Sequence, residues 1–173
     1  MRLLLIGFGN LGRGLSLALF EKLSFLRERY GLSPRVVAVV DDSGAAIQKE
    51  GIKWRVLIAK AKQKAKVASF PAAKLGKTAV EVLEEVECDV VFELTPTNIE
   101  TGEPGLTHIK KALKLGRHVI TSNKGPLVVA FRELERLASK QGVEFRYSAS
   151  VGGAIPVIEL ARKLLAGNRV LEI

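Results

Sequence analysis

Five groups of residues in this chain could do chemistry. The first is Gly7-Phe8-Gly9-Asn10-Leu11-Gly12, a G-x-G-x-x-G spacing that follows an apolar run and precedes an amphipathic one. In that context Gly7 permits a tight turn, Gly9 lets the main chain approach a diphosphate, and Gly12 lets the next helix lie against the strand. The free N–H groups that open such a helix, with its dipole, favour a phosphate. The second group is Asp41 and Asp42, at the end of an apolar run. A carboxylate there could accept from ribose hydroxyls and would repel a 2′-phosphate, which leans toward NAD, although an Arg or Lys of the basic helix over 53–67 could still accept NADP; it could equally cap a turn. Asp41 stands 29 residues after Gly12, against roughly 20 in the usual pattern, and a long intervening helix accounts for the difference.

The third group is Glu93-Leu94-Thr95-Pro96-Thr97-Asn98, where a buried strand runs into a polar loop. Thr95, Pro96 and Thr97 stand where such a loop covers the nicotinamide half of a dinucleotide. Glu93 lies inside an apolar run, where an unpaired carboxylate is costly, so it either faces the cleft from the strand end or is held by an ion pair. The fourth is Asn123-Lys124-Gly125-Pro126. Lys124 ends a strand just before a helix, with proline in its first turn. There it could hold a carboxylate, polarise a carbonyl or take part in proton transfer; a surface lysine is the plain alternative. The fifth is Ser148 to Pro156, rich in glycine. His108 and His118 have no acid or nucleophile beside them in sequence and read as structural.

The elements that position these groups alternate. Strands are predicted at Leu3–Ile6, Val36–Val40, Val90–Phe92, Val119–Ile120 and Val143–Tyr147, with one beginning at Arg169–Ile173. Helices are predicted at 11–30, 53–67, 78–86, 105–115, 126–141 and 157–166, from apolar spacing and from glycines 31, 116 and 142 as stops. Such alternation predicts an α/β fold with a doubly wound, mostly parallel sheet of Rossmann type, its ligand beyond the carboxyl ends of the strands.

Composition sets the outer bounds. The chain has 173 residues, 47% hydrophobic, with a mean hydropathy of +0.18, enough for one domain and the start of another. No apolar run approaches the roughly 18 residues of a membrane span, and Gly7 ends the N-terminal run before a signal peptide could form; a cytoplasmic protein is expected, with no membrane partner. The net charge of +9 arises largely from lysines such as Lys60, Lys62, Lys64 and Lys66 on one predicted helix. No aromatics interleave with them, so a solvated face is expected and not a nucleic-acid partner. Cys88 stands alone, excludes an internal disulfide and reads as core.

Taken in order, Glu93 to Asn98, Glu100-Thr101-Gly102-Glu103-Pro104-Gly105, Thr121-Ser122-Asn123-Lys124-Gly125-Pro126-Leu127 and Ser150-Val151-Gly152-Gly153-Ala154-Ile155-Pro156 resemble the N-terminal part of homoserine dehydrogenase. The Asn-Lys-Gly-Pro-Leu and Val-Gly-Gly-x-x-Pro segments are the specific ones. The resemblance implies NAD(P)-dependent reduction of L-aspartate 4-semialdehyde to L-homoserine, a step toward threonine, methionine and isoleucine. By position, Phe8, Asn10 and Leu11 line the pyrophosphate, Thr95 contacts the nicotinamide side, and Lys124 matches the active-site lysine. The carbonyls of Val151, Gly153 and Ile155 match a Na+ site whose acidic member is replaced here by Ser148. The resemblance also implies a homodimer. On this reading residues 1–150 form the nucleotide domain and 151–173 begin the substrate and dimerisation region. The chain is then the cofactor half of the enzyme, a truncated piece or one half of a split one, with little turnover by itself. The other readings are a non-catalytic NAD(P)-binding or sensing module and another small Rossmann amino-acid or semialdehyde dehydrogenase.

Overall fold

The computed structural model describes residues 1–153, 155–164 and 167. A seven-stranded sheet has the order β4-β3-β2-β1-β5-β6-β7. Its strands are β1 (Arg2–Ile6), β2 (Arg35–Asp41), β3 (Gly44–Ile47), β4 (Lys74–Leu75), β5 (Val90–Glu93), β6 (His118–Thr121) and β7 (Phe145–Arg146). β1 pairs in parallel with both β2 and β5, β5 with β6, and β6 with β7. The chain thus winds outward from β1 in both directions, and the loops at the carboxyl ends of β1 and β5 diverge around a crevice.

The helices are α1 (Asn10–Glu21), α2 (Leu23–Tyr30), α3 (Trp54–Lys62), α4 (Ala79–Glu85), α5 (Gly105–Lys114), α6 (Gly125–Gln141) and α7 (Val157–Leu164). They cover both faces of the sheet, which is why the central strands read as unbroken apolar runs. Successive side chains of a strand point to opposite faces. Leu3 and Leu5 accordingly join one core with Leu57 and Ala61 of α3, and Leu4 and Ile6 join the other with Val82, Ile109 and Leu134 of α4, α5 and α6. Each leucine or isoleucine removed from water in this way contributes about 1.5–3 kcal/mol. Burial also pushes the Cys88 thiol up to about 11, so it is an inert core group.

Several sequence expectations are corrected. The helix expected over 11–30 is two helices, because Lys22 leaves helical geometry (φ −99°, ψ 5°). Its apolar repeat continues, but α2 has no buried residue and α1 seats on the domain through Gly12 and Ser16, with Leu11 exposed. Apolar spacing reports a face and not the continuity of an axis. The turn at 41–44 is the tip of an antiparallel hairpin, so β3 and β4 form an antiparallel margin on a sheet otherwise parallel. The helix expected over 53–67 stops at Lys62, where Lys64 takes a left-handed φ of 51°; a short 3-10 turn at Val67–Ser69 follows. The strand expected over 143–147 shrinks to Phe145–Arg146. The expected helix over 157–166 runs from Val157 to Leu164; its final two residues, and the strand expected at 169–173, lie outside the described residues. No helix among the described residues is long and apolar enough to cross a membrane.

β1 and β5 are tied together at their amino ends. Asp89 accepts from the Arg2 amide (2.6 Å) and from the Arg2 guanidinium (2.8 and 3.2 Å). The guanidinium bond is the main cause holding the Asp89 carboxyl below the usual carboxylate range. A carboxyl lowered in the folded state stabilises the fold above its unfolded value, about 3.9, and loses that contribution as pH falls through the folded value. Urea midpoints for Asp89→Asn are expected below wild type at pH 7, with the two curves converging below about pH 4.

Candidate functional site

A cavity of about 650 Å³ opens along the carboxyl ends of β1, β2, β5 and β6. It runs from Asp41, Asp42 and Lys66 beyond β2, past the first turn of α1, to Thr95, Pro96, Thr97, His108, Ser122 and Lys124 beyond β5 and β6. Its centre is the loop between β1 and α1. Gly7 has φ +104°, and a Cβ there would stand 2.6 Å from the Leu94 carbonyl oxygen; a Cβ on Gly12 would stand 2.1 Å from the Gly7 carbonyl oxygen. Both positions therefore exclude every side chain. A Cβ on Gly9, by contrast, would meet nothing within 4 Å, and Gly9 lines the cavity, so the chain is bare there. α1 begins with no capping side chain and no acidic residue in its first turn, and the first intrahelical bond is Arg13 N–H to Gly9 carbonyl (3.0 Å). The amides of that first turn are free for an anion at the positive end of the helix.

Phe8 lines the cavity and is buried, its ring edge-on to Phe70 at 5.4 Å. Asn10 and Leu11 line it from the exposed side of the first turn. Gly12 lies beneath and does not. Arg13 reaches over the Phe8 ring and donates to the Ala65 carbonyl (3.2 Å), adding a fixed cation to the wall.

At the β2 end, Asp41 serves the hairpin. One oxygen accepts from the Ser43 amide (2.8 Å) and hydroxyl (2.5 Å), and the other from the Val67 amide (2.9 Å). Asp42 accepts from Lys66 Nζ at 2.5 and 2.7 Å, which lowers the Asp42 carboxyl and raises the Lys66 ammonium. Both acids line the cavity, but Asp41 arrives with most of its acceptor capacity engaged, a turn-capping role as much as a ligand-facing one.

At the β5–β6 end the organising group is Glu93. Its side chain is fully buried. One oxygen accepts from the Thr95 amide (3.0 Å) and the Thr95 hydroxyl, and the other shares the Thr121 hydroxyl (3.1 Å) with the Glu93 main-chain carbonyl (3.0 Å). Asn123, also buried, donates to the Thr95 and Pro96 carbonyls (both 3.3 Å), and its own amide donates to Thr121 Oγ1 (3.0 Å). The Thr95-Pro96-Thr97 loop is thus clamped from below by Glu93 and from the side by Asn123. Asn123, placed with the cofactor-facing residues by sequence, supports the wall without lining it. Lys124 is exposed, lines the cavity and precedes the first turn of α6; its amide reaches Thr97 Oγ1 at 3.4 Å.

Val151, Gly153 and Ile155 stand apart from this cavity, in an exposed turn. Sequence reasoning missed the cavity-facing positions of Arg13, Ser122 and His108, and pointed to the basic helix without singling out Lys66, which lines the cavity. His108 carried no local signal, because its acidic neighbour Glu93 is 15 residues away and meets it only across the packed β5 and α5.

A doubly wound sheet, a glycine-formed turn and an uncapped helix start over a strand-end cavity define a dinucleotide-binding Rossmann-type domain. The chain belongs to the homoserine dehydrogenase family: the family's sequence profile, described as "Homoserine dehydrogenase, NAD binding domain", matches residues 7–148. Over all 173 residues the chain is 42% identical to a homoserine dehydrogenase of Methanocaldococcus jannaschii, covering 51% of that protein. It is 32% identical over 170 residues to an NAD(+)-dependent homoserine dehydrogenase of Pseudomonas canavaninivorans, covering 48% of it. A hyperthermophilic archaeal homoserine dehydrogenase mutant solved with NADPH shares the fold, with a TM-score of 0.82, 23% identity, and coverage of 96% of this chain and 49% of that one. The chain spans about half the length of the curated relatives it matches.

Thr121 joins Glu93 to Asn123, so its hydroxyl holds the two halves of the clamp together. Thr121→Val keeps the volume and strands Glu93 Oε2 and the Asn123 amide. Urea unfolding at neutral pH is expected to show a loss of about 1–3 kcal/mol.

Proposed function

We propose that this chain is the cofactor-binding half of a homoserine dehydrogenase, holding NAD or NADP for the interconversion of L-aspartate 4-semialdehyde and L-homoserine. The observation that carries the reading is the uncapped first turn of α1, open to the cavity at Gly9. It offers amides to a diphosphate midway between two differently built ends, as a dinucleotide requires. The likeness of all 173 residues to half of a homoserine dehydrogenase supports the same reading, and the relatives include both an NAD(+)-dependent enzyme and one solved with NADPH.

The bound cofactor would supply hydride chemistry, and the protein's part is orientation and charge. Phe8, Asn10 and Leu11 present the main chain to the diphosphate. Asp41 and Asp42 face the adenosine side, where the Lys66 ammonium also stands. Thr95, Pro96 and Thr97 cover the nicotinamide side. Lys124, exposed at that end, is the residue we assign to the reacting carbonyl oxygen or the substrate carboxylate. Residues 1–150 are the nucleotide domain on this reading and 151–173 begin the substrate and dimerisation region of a cytoplasmic homodimer. The resemblance extends to a sodium ion on the carbonyls of Val151, Gly153 and Ile155, supported by the left-handed turn at Gly152 and Gly153. The 173 residues alone are expected to show no measurable turnover with homoserine and either cofactor.

Gly9 gives the direct test. Gly9→Ala meets no protein atom within 4 Å and sits at φ −78°, so the fold tolerates it, while the methyl occupies the path of the diphosphate. Calorimetric titration of the chain with NADH is expected to show binding, weakened about tenfold or more (about 1.4 kcal/mol) in Gly9→Ala at unchanged thermal stability. Equal affinity in the two proteins would refute this placement of the diphosphate.

A further inference from the structure

The one histidine at the cavity, His108, has no part in the function as read so far. It sits in α5 with its side chain 12% exposed, and its Nδ1 is buried with no hydrogen-bond partner among the described residues. The carboxylate facing it is Glu93, whose Oε1 lies at 3.8 Å. That separation is too long for a hydrogen bond but well within electrostatic contact. A lone pair on Nδ1 would face the carboxylate oxygen in a dry site and be repelled; an N–H would be attracted. Glu93 therefore selects the Nδ1–H form of the neutral ring, which leaves Nε2 as a hydrogen-bond acceptor. Since Nδ1 is shielded, the cavity meets the remainder of the ring.

The position of the pair within the cavity identifies the ligand group. The α1 amides fix the diphosphate at the centre, and Asp41, Asp42 and Lys66 occupy the opposite end. His108, Thr95 and Lys124 are on the β5–β6 side, where the nicotinamide riboside half of a dinucleotide would extend. On the basis of the dinucleotide reading above, we propose that His108 is a further cofactor-binding residue, whose Nε2 accepts a hydrogen bond from a donor of the nicotinamide riboside half, and that Glu93 is the positioning residue that sets its tautomer. The candidate donors are a ribose hydroxyl and the carboxamide N–H. Glu93 thereby governs two cofactor-facing groups through one oxygen, since Oε1 also holds the Thr95 amide and hydroxyl.

The tautomer can be read directly, because the chain's other histidine provides an internal contrast. His118 Nδ1 accepts from the Glu144 amide at 3.0 Å, so His118 carries its proton on Nε2. Long-range proton–nitrogen-15 spectra of the intact chain at alkaline pH are expected to show two rings of opposite tautomer, with His108 protonated on Nδ1. An Nε2–H form at His108 overturns the assignment. Affinity is then measured by calorimetry for NADH, ADP-ribose and ADP. His108→Ala and Glu93→Gln are each expected to weaken NADH about tenfold and to leave ADP unchanged. A matching loss with ADP-ribose identifies the ribose hydroxyl, and no loss identifies the carboxamide. His108→Gln, which places an amide oxygen near the Nε2 position, is expected to bind NADH within about threefold of wild type. Unchanged NADH affinity in His108→Ala, or an equal loss of ADP affinity, overturns the proposal. Absence of NADH binding by the wild-type chain would instead refute the dinucleotide reading beneath it.

Discussion

The first turn of α1 lies so close to the end of β1 that a single methyl group at Gly12 would collide with the Gly7 carbonyl oxygen. That approach places a helix start directly over a strand end, at the strand from which the sheet is wound in both directions. The amides of the turn are left without side-chain caps, and the first turn itself carries no acid. In a structure where buried polar groups are generally satisfied, free amides at a cavity wall mark the place of an anionic ligand. The rest of the site is arranged around them, with Asp41, Asp42 and Lys66 at one end and Thr95 to Thr97 with Lys124 at the other.

The two ends are built on different physical terms. The β2 end is a hairpin tip where Asp41 accepts from Ser43 of its own turn and from Val67 of a later segment, and Lys66 reaches across to Asp42 in an exposed pair. Exposed pairs of this kind contribute little to stability and are screened by salt, so this end can exchange partners readily. The β5–β6 end is dry. Glu93, Thr121 and Asn123 are all buried, and each side-chain bond there fixes a piece of the loop that covers the cavity. Gly105 belongs to the same arrangement, since a Cβ on it would lie 2.6 Å from Asn123 Nδ2 and 3.1 Å from Glu93 Oε2. A covering loop held this way keeps its position to a fraction of an ångström.

Much of this was legible in the residues. The glycine spacing, the apolar strands and the helical repeats define the sheet, its two covered faces and the location of the ligand crevice. The motif segments around Thr95 and Lys124 mark the loops that line the cavity. Legibility failed where a local pattern competes with a distant bond. The apolar repeat across 11–30 carries no sign that Lys22 breaks the axis, and the basic helix ends at Lys62 although its pattern continues, with Val67 beyond it bonded to Asp41 across the domain. The Asp41 carboxylate reads as a ribose ligand by position, yet most of its acceptor capacity is taken by Ser43 and Val67.

The sequence by itself therefore determined the class of fold, the glycine turn that opens the first helix and the family, because those rest on periodicity and on residues with few conformational substitutes. The tertiary structure alone decided which polar groups meet. Glu93 is an anomaly in an apolar run until Thr95, Thr121 and His108 surround its carboxylate, and His108 is an unremarked helix residue until β5 and α5 pack. Such meetings depend on crossover geometry between elements far apart in the chain, and no local spacing encodes them.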